Sequence, residues 1–350
     1  MIDIDHGLYC GKSLIVVDRH RKGVLNLDAS PRFLFHYCSN RKCFSILSSK
    51  TFRMSDIQKS NDSQELRLFF PSLIRRIEQH YIDDPFPFQY KNMSNVSAML
   101  VMTRESLDFW NKQFTNGGFT NYVACFSESP DVLSQWRGYA DDGRGCCIGF
   151  SKEQLDEYCL SHPNVLSLEK VIYLAAEELD CHIDSAAKAA LTSFSMQTEK
   201  ALEDNIISNG NPEDDIKKHY HFDQILQKLF VASLRLKSKG FTEEGEWRMF
   251  LRNPIHKDPD LLYRDCISEI TGSSCFIDTL RFLKNRVEYM ETDDDLVSFI
   301  PISFSEFQNP VITQIWTGPK NHILDRDLES YLAQKGYNNI SRFRSAIPYR

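Results

Sequence analysis

Short runs with strand-like alternation and longer runs with helical spacing follow one another along this 350-residue chain without a regular βαβ rhythm. That order constrains the architecture most. It points to an α+β fold with a mixed, largely antiparallel sheet core and a helical insertion. In RFLFHYC, Phe33, Phe35 and Tyr37 share one face and Leu34, His36 and Cys38 the other. KTFRMS, NYVACFSES, GRGCCIGF and EEGEWRMFLR also read as strands, and FIDTLRFLKN, RVEYME, VSFIPIS and PVITQIWTG are expected to be further strands. Helices are expected at 94–114, behind a Ser151/Gln154 capping box to about Leu160, and after the Gly318-Pro319 turn, where Leu324, Leu328, Tyr331 and Leu332 recur. Residues at about 175–240 read as almost wholly helical. The expected organisation is an N-terminal extension at 1–31, then a single α+β domain at 32–350 carrying that insertion.

A composition of 42% hydrophobic and 25% charged residues is that of a chain able to bury a large core. A net charge of -7 counts against a protein that coats nucleic acid, because phosphate binding needs a concentrated basic surface. No segment approaches the roughly 20 apolar residues of a membrane span, and the first residues carry acids where an export signal needs a basic leader. The expected location is the cytoplasm, with no membrane partner. The ten cysteines include no Cys-x-x-Cys pair, so they are expected to be mostly buried reduced thiols, with no metal site. The Gly-x-Gly-x-x-Gly and Walker fingerprints are both missing.

TEEGEWRMF is the sharpest candidate for chemistry. Read as strand, it projects Glu244, Glu246 and Arg248 to one side, opposite Trp247, Met249 and Leu251. Two carboxylates so placed can stabilise positive charge at an anomeric carbon and activate a nucleophile; they can equally form an ion pair with Arg248. His36 and Tyr37 can meet a nucleotide or pack in the core. Ser127 can orient a catalytic glutamate or cap a turn. Trp136 and Tyr139, in WRGYADDGRG, can sandwich a planar ring or pack together on one helical turn. Asn61, with Asp62 and Glu65, either starts a helix or rims a pocket. A carboxylate-bound metal built from Asp62, Glu65, Glu244 and Glu246 would suit a nuclease, but nothing in the sequence brings them together.

Four stretches, SNDSQE, CFSESPDVLSQWRGYADDGRGCCIGF, EEGEWRMF and SAIPYR, together resemble the bacterial family catalogued as domain of unknown function 2971. The likeness runs in order from about residue 32. Ser63 stands where the family usually has proline, and Cys38 where its first strand often has arginine, which weakens any nucleotide role at that strand. The resemblance implies a role in phage defence or abortive infection. The order His36, Ser127, Glu246 is in turn similar to ADP-ribosyltransferases. It implies NAD as substrate, His36 on the ribose, Ser127 orienting the sugar or the glutamate, and Glu246 as the catalytic carboxylate; Tyr122 or Tyr139 are alternatives for the middle role. Glu244 and Ser127 complete the expected catalytic set, with His36, Tyr37, Asn61, Trp136, Tyr139 and Arg248 around the NAD. The expected function is a defence or toxin-type enzyme that transfers ADP-ribose or cleaves NAD. The alternative is a non-catalytic sensor, antitoxin or partner-binding protein of a defence system, responding to a phage-derived trigger; a metal-dependent nuclease comes third.

Overall fold

The computed structural model describes residues 9–10, 13–14, 30–59, 63–83, 107–112, 114–116, 118–203, 225–253, 255–256, 274–292 and 295–349. A short hairpin, β1 (Tyr9–Cys10) and β2 (Ser13–Leu14), comes first. It is followed by β3 (Phe33–Cys38), α1 (Asn40–Ser49), β4 (Thr51–Asp56), α2 (Ser63–Asp83), β5 (Phe119–Thr120), β6 (Tyr122–Ser127), α3 (Leu133–Tyr139), β7 (Cys146–Ser151) and α4 (Lys152–Ser161). The chain then forms β8 (Leu166–Lys170), β9 (Ile172–Leu174), α5 (Ala176–Glu203), a helical stretch at 225–233, β10 (Leu236–Ser238) and β11 (Glu246–Leu251). Last come β12 (Ile255–His256), α6 (Ser274–Leu283), β13 (Glu288–Glu291), β14 (Leu296–Ser303), β15 (Ile312–Thr317), α7 (Asp325–Gln334) and β16 (Ser341–Arg344).

Ten strands form one sheet, antiparallel except for the β15–β16 pair. This is the mixed, largely antiparallel α+β architecture that the element order predicts. The sheet forks at β6. One edge of β6 meets β4 through Val123 and Tyr122 and meets β3 through Ser127, while β11 runs along the other edge from Ser127 to Val123. From the fork, one arm continues through β14 to β13, the other through β7 and β15 to β16, and β8 lies outside β11.

Alternation decides what covers each face. Leu34, Cys38, Ala124, Phe126, Ile148, Phe150, Met249 and Leu251 point to a large core closed by α1, α4, α6 and α7. The opposite face carries two separate apolar clusters. Val123 and Phe250 pack under α2, α5 and the helical residues around 110 and 230. Phe35, Tyr37 and Cys147 pack against Trp136 and Ala140 of the α3 region. Between these clusters the same face is polar, and it carries Ser127, Glu246 and Arg248.

Local signals set the helix limits. The Ser39 and Ser151 hydroxyls each accept a backbone N–H at 3.4 Å, from Lys42 and Gln154, which satisfies a free donor at the starts of α1 and α4. The stretch 276–285 corrects an expectation, since it is not a strand but most of α6. Its buried residues Thr279, Phe282 and Leu283 recur at helical spacing, and Asn285, in the left-handed region at φ 62°, ends the helix. The start of β7 crosses so close to β3 that a Cβ on Gly145 would lie 2.2 Å from the Cys38 carbonyl oxygen, so no side chain fits there. Among the described cysteines, Cys38, Cys43, Cys146, Cys147 and Cys159 are buried free thiols, Cys125 is half-buried and Cys181 exposed. No described helix is long and apolar enough to cross a membrane.

Candidate functional site

Glu244 and Glu246 are brought together, though not by strand alternation. Residues Lys239–Glu244 form a 3-10 turn, Gly245 takes a left-handed conformation at φ 50°, and the strand begins only at Glu246. What joins the two glutamates is Lys237, at the middle of β10. Its ammonium donates to Glu244 Oε2 at 2.5 Å and to Glu246 Oε2 at 3.0 Å. Arg248, two residues along the same face of β11, grips Glu246 with two bonds: Nε to Oε1 at 2.7 Å and Nη2 to Oε2 at 3.0 Å. Its Nη1 donates to the Leu234 carbonyl at 2.7 Å.

All four side chains are withdrawn from water: Lys237 is 2% exposed, Arg248 3%, Glu246 6% and Glu244 10%. Two anions and two cations cancel, which makes such burial tolerable, since an unpaired charge here would cost several kcal/mol. Burial pushes the Glu246 carboxyl up. The Arg248 charge and hydrogen bonds, then Lys237 and the Cys125 thiol, more than offset this and hold it below the ordinary carboxylate range. The Tyr173 hydroxyl, pushed up to about 12 mainly by burial, accepts the Glu246 backbone N–H at 2.8 Å. Ser127 donates to the Glu244 carbonyl at 2.6 Å and accepts the Ser129 N–H at 3.2 Å, so its hydroxyl pins the turn before β11.

Tyr139, 38% exposed, closes the cluster from the surface, its hydroxyl 3.3 Å from Glu244 Oε1. Phe241, 45% exposed, lies over the Lys237 ammonium at 5.0 Å. The site is therefore closed around Glu246, and it comes nearest the surface where the exposed Tyr139 meets Glu244 and the exposed Phe241 covers Lys237.

The other expected site residues are placed differently. Register makes Phe35, Ser127 and Glu246 neighbours on one face, so His36, the next residue, projects from the opposite face. There its Nδ1 lies 3.0 Å from the Cys125 carbonyl oxygen, its ring meets the edge of Phe126, and burial lowers its pKa. His36, Ser127 and Glu246 thus do not surround one ligand. Tyr37 and Trp136 pack edge to face at 4.9 Å. Trp136 is wholly buried, with Nε1 donating to Asp131 at 2.7 Å, and the Tyr37 hydroxyl donates to the Ser129 carbonyl. Neither ring is open to a planar ligand. Asn61 lies outside the described residues. Among the described residues, no group of three or more His, Cys, Asp or Glu is placed to hold a metal ion.

Lys237, Cys125 and Tyr173 escape sequence reasoning. Lys237 had a weak signal, because Leu234 and Leu236 alternate with Arg235 and Lys237 in a short strand-like run, but nothing local announces a buried ammonium.

The model of a family described as a protein of unknown function, DUF2971, matches residues 135–249, about a third of the chain. That span holds Tyr139, Lys237, Glu244, Glu246 and Arg248, and it supports the likeness drawn from the sequence motifs. Neither the curated proteins nor the solved structures contain a match to the chain.

Proposed function

We propose that the protein is an enzyme acting on the nicotinamide–ribose bond of NAD, with Glu244 as the carboxylate that faces the substrate. One observation supports this reading: two glutamates converge on Lys237, yet only one is committed to the interior. Glu246 engages Arg248 and Lys237 with both oxygens and so serves as a positioning residue. Glu244 is held by the same lysine, with Oε1 accepting from the hydroxyl of the exposed Tyr139, while the exposed Phe241 ring lies over that lysine. As the glycosidic bond breaks, nicotinamide leaves with the bonding pair and positive charge grows at the ribose anomeric carbon. A preorganised carboxylate there lowers the barrier, and an aromatic face offers a stacking surface for a planar ring. Water, or a nucleophile on another macromolecule, then adds to that carbon. Destroying or redirecting NAD suits the defence role that the family resemblance implies.

Wild-type protein incubated with labelled NAD and host lysate is expected to release nicotinamide or to label macromolecules. Glu244→Gln is expected to lower the rate by a factor of about 100 or more, with the fold retained because Lys237 keeps Glu246. No release and no label from the wild-type chain, with or without phage components, would overturn the reading.

The partner-binding alternative draws on the same two exposed rings. Its anchor is Tyr139 or Phe241 and not Trp136, which is wholly buried. Under that reading, Phe241→Ala abolishes capture of a partner while Glu244→Gln leaves capture unchanged and NAD untouched.

A further inference from the structure

Residues Ser345–Tyr349 lie along α3 and are tied at both of its flanks. Before the helix, Asp131 accepts the Ser345 hydroxyl at 2.5 Å on Oδ1 and the Ala346 N–H at 3.0 Å on Oδ2. After the helix, Asp142 accepts the Tyr349 hydroxyl at 2.5 Å. Between these ties Ile347 packs on the Trp136 cluster. Ser345, Ile347 and Tyr349 are each anchored, and the chain turns at Pro348, where the Tyr349 N–H donates to the Ile347 carbonyl at 2.8 Å.

Two further observations connect this segment to the charged site. Asp131 also accepts the Trp136 indole N–H, so strap and helix share one carboxylate. The loop after α3 holds Asp141, Asp142 and Gly143 in succession at φ 50°, 53° and 83°. Two of these are aspartates, which adopt that region with the help of local hydrogen bonds. The Asp142 carboxylate is held by Tyr349 and by Lys320, whose ammonium donates to it at 2.9 Å and lies 3.9 Å from the Tyr349 ring centre. Asp141 is held by Arg144. The far end of α3 carries Tyr139, the residue that closes Glu244.

We propose that Ser345–Tyr349 is a releasable strap that holds α3 down, and through Tyr139 controls access to Glu244. The consequence for activity rests on the reading of Glu244 above; the mechanical coupling does not.

The test is hydrogen–deuterium exchange on the full chain carrying Ser345→Ala with Tyr349→Phe, which removes the ties at both flanks of α3 while keeping the Tyr349 ring against Arg137. Two hydrogen bonds to carboxylates are lost. Exchange at 133–140 and at 239–245 is expected to rise about tenfold or more, with β6, β7 and β11 unchanged. Asp142→Asn, made from the other side of the contact, is expected to give the same pattern. A rise confined to 341–349, or spread uniformly over the sheet, would overturn the proposal. Nicotinamide release, followed in parallel, separates the two readings. Coupled exchange with no release from any variant keeps the strap and removes the NAD activity; release that is unaffected by the strap variants, with no coupled exchange, does the reverse.

Discussion

Glu246→Gln is expected to lower the free energy of unfolding by about 3–5 kcal/mol in a urea titration, a large share of the stability of any domain. The substitution keeps the shape of the side chain and removes its charge. Arg248, 3% exposed, then faces an amide that cannot accept both of its donors, and Lys237 keeps only Glu244. A second replacement tests the cause. Adding Arg248→Met to Glu246→Gln removes the stranded cation, and part of the loss is expected to return, because an apolar side chain in such a place costs less than half of an ion pair. The dependence on pH follows from the depressed pKa of Glu246. Its stabilising contribution is complete above the unfolded value of about 4.3 and is lost as pH falls through the lower folded value, so the wild-type advantage over Glu246→Gln shrinks on acidification. A loss below about 1 kcal/mol at neutral pH would mean that the cluster is not the buried, charge-balanced unit described above.

Trp136→Ala is the second large effect, with an expected loss of about 3–5 kcal/mol. The indole is wholly buried, meets Tyr37 edge to face and bonds Asp131. Its removal opens a cavity under α3 and frees the carboxylate that also holds Ser345. Trp136→Phe separates the two contributions, since it keeps most of the apolar surface while losing the N–H, and is expected to cost about 1–2 kcal/mol. Unfolding curves of the two variants measure both. A Trp136→Ala protein as stable as the wild type would show that the indole is not part of a packed core.

These two results bear on what a sequence discloses. The strands β3, β6, β7 and β11 are legible because apolar and polar residues alternate within each, and the faces of β3 follow from that alternation. Alternation says which residues of one strand share a face. It does not say which face of a second strand lies on the same side, because that depends on the register between strands distant in the chain. Hence Glu246 and His36 read as partners from their order, and the pairing of Phe35 with Ser127 and of Ser127 with Glu246 turns His36 to the other side. Glu244 shows a related limit. The spacing of two residues from Glu246 holds on a strand, but Gly245 bends the chain there, and the glutamates meet through a lysine outside the motif. The stretch 276–285 was ambiguous for a different reason: a short apolar run satisfies both periods, and only the length and the packed partner decide. The aromatic and glycine-rich stretch after Ser127 was legible as an organised unit, but its use was not. Its tryptophan belongs to the core, and its Asp131 and Asp142 receive a segment some 200 residues away.

The forked sheet sets a timetable. Strand β6 has its first partners, β3 and β4, already synthesised when it emerges, but β11 lies about 120 residues later. At translation rates of 5–20 residues per second, the nascent chain waits on the order of ten seconds with one edge of its junction strand unpaired and with Ser127 lacking the turn it will pin. Neither Lys237 nor the Glu244–Arg248 segment exists during that interval. Any activity housed there is therefore withheld from the ribosome-bound chain until the last neighbour of β6 arrives.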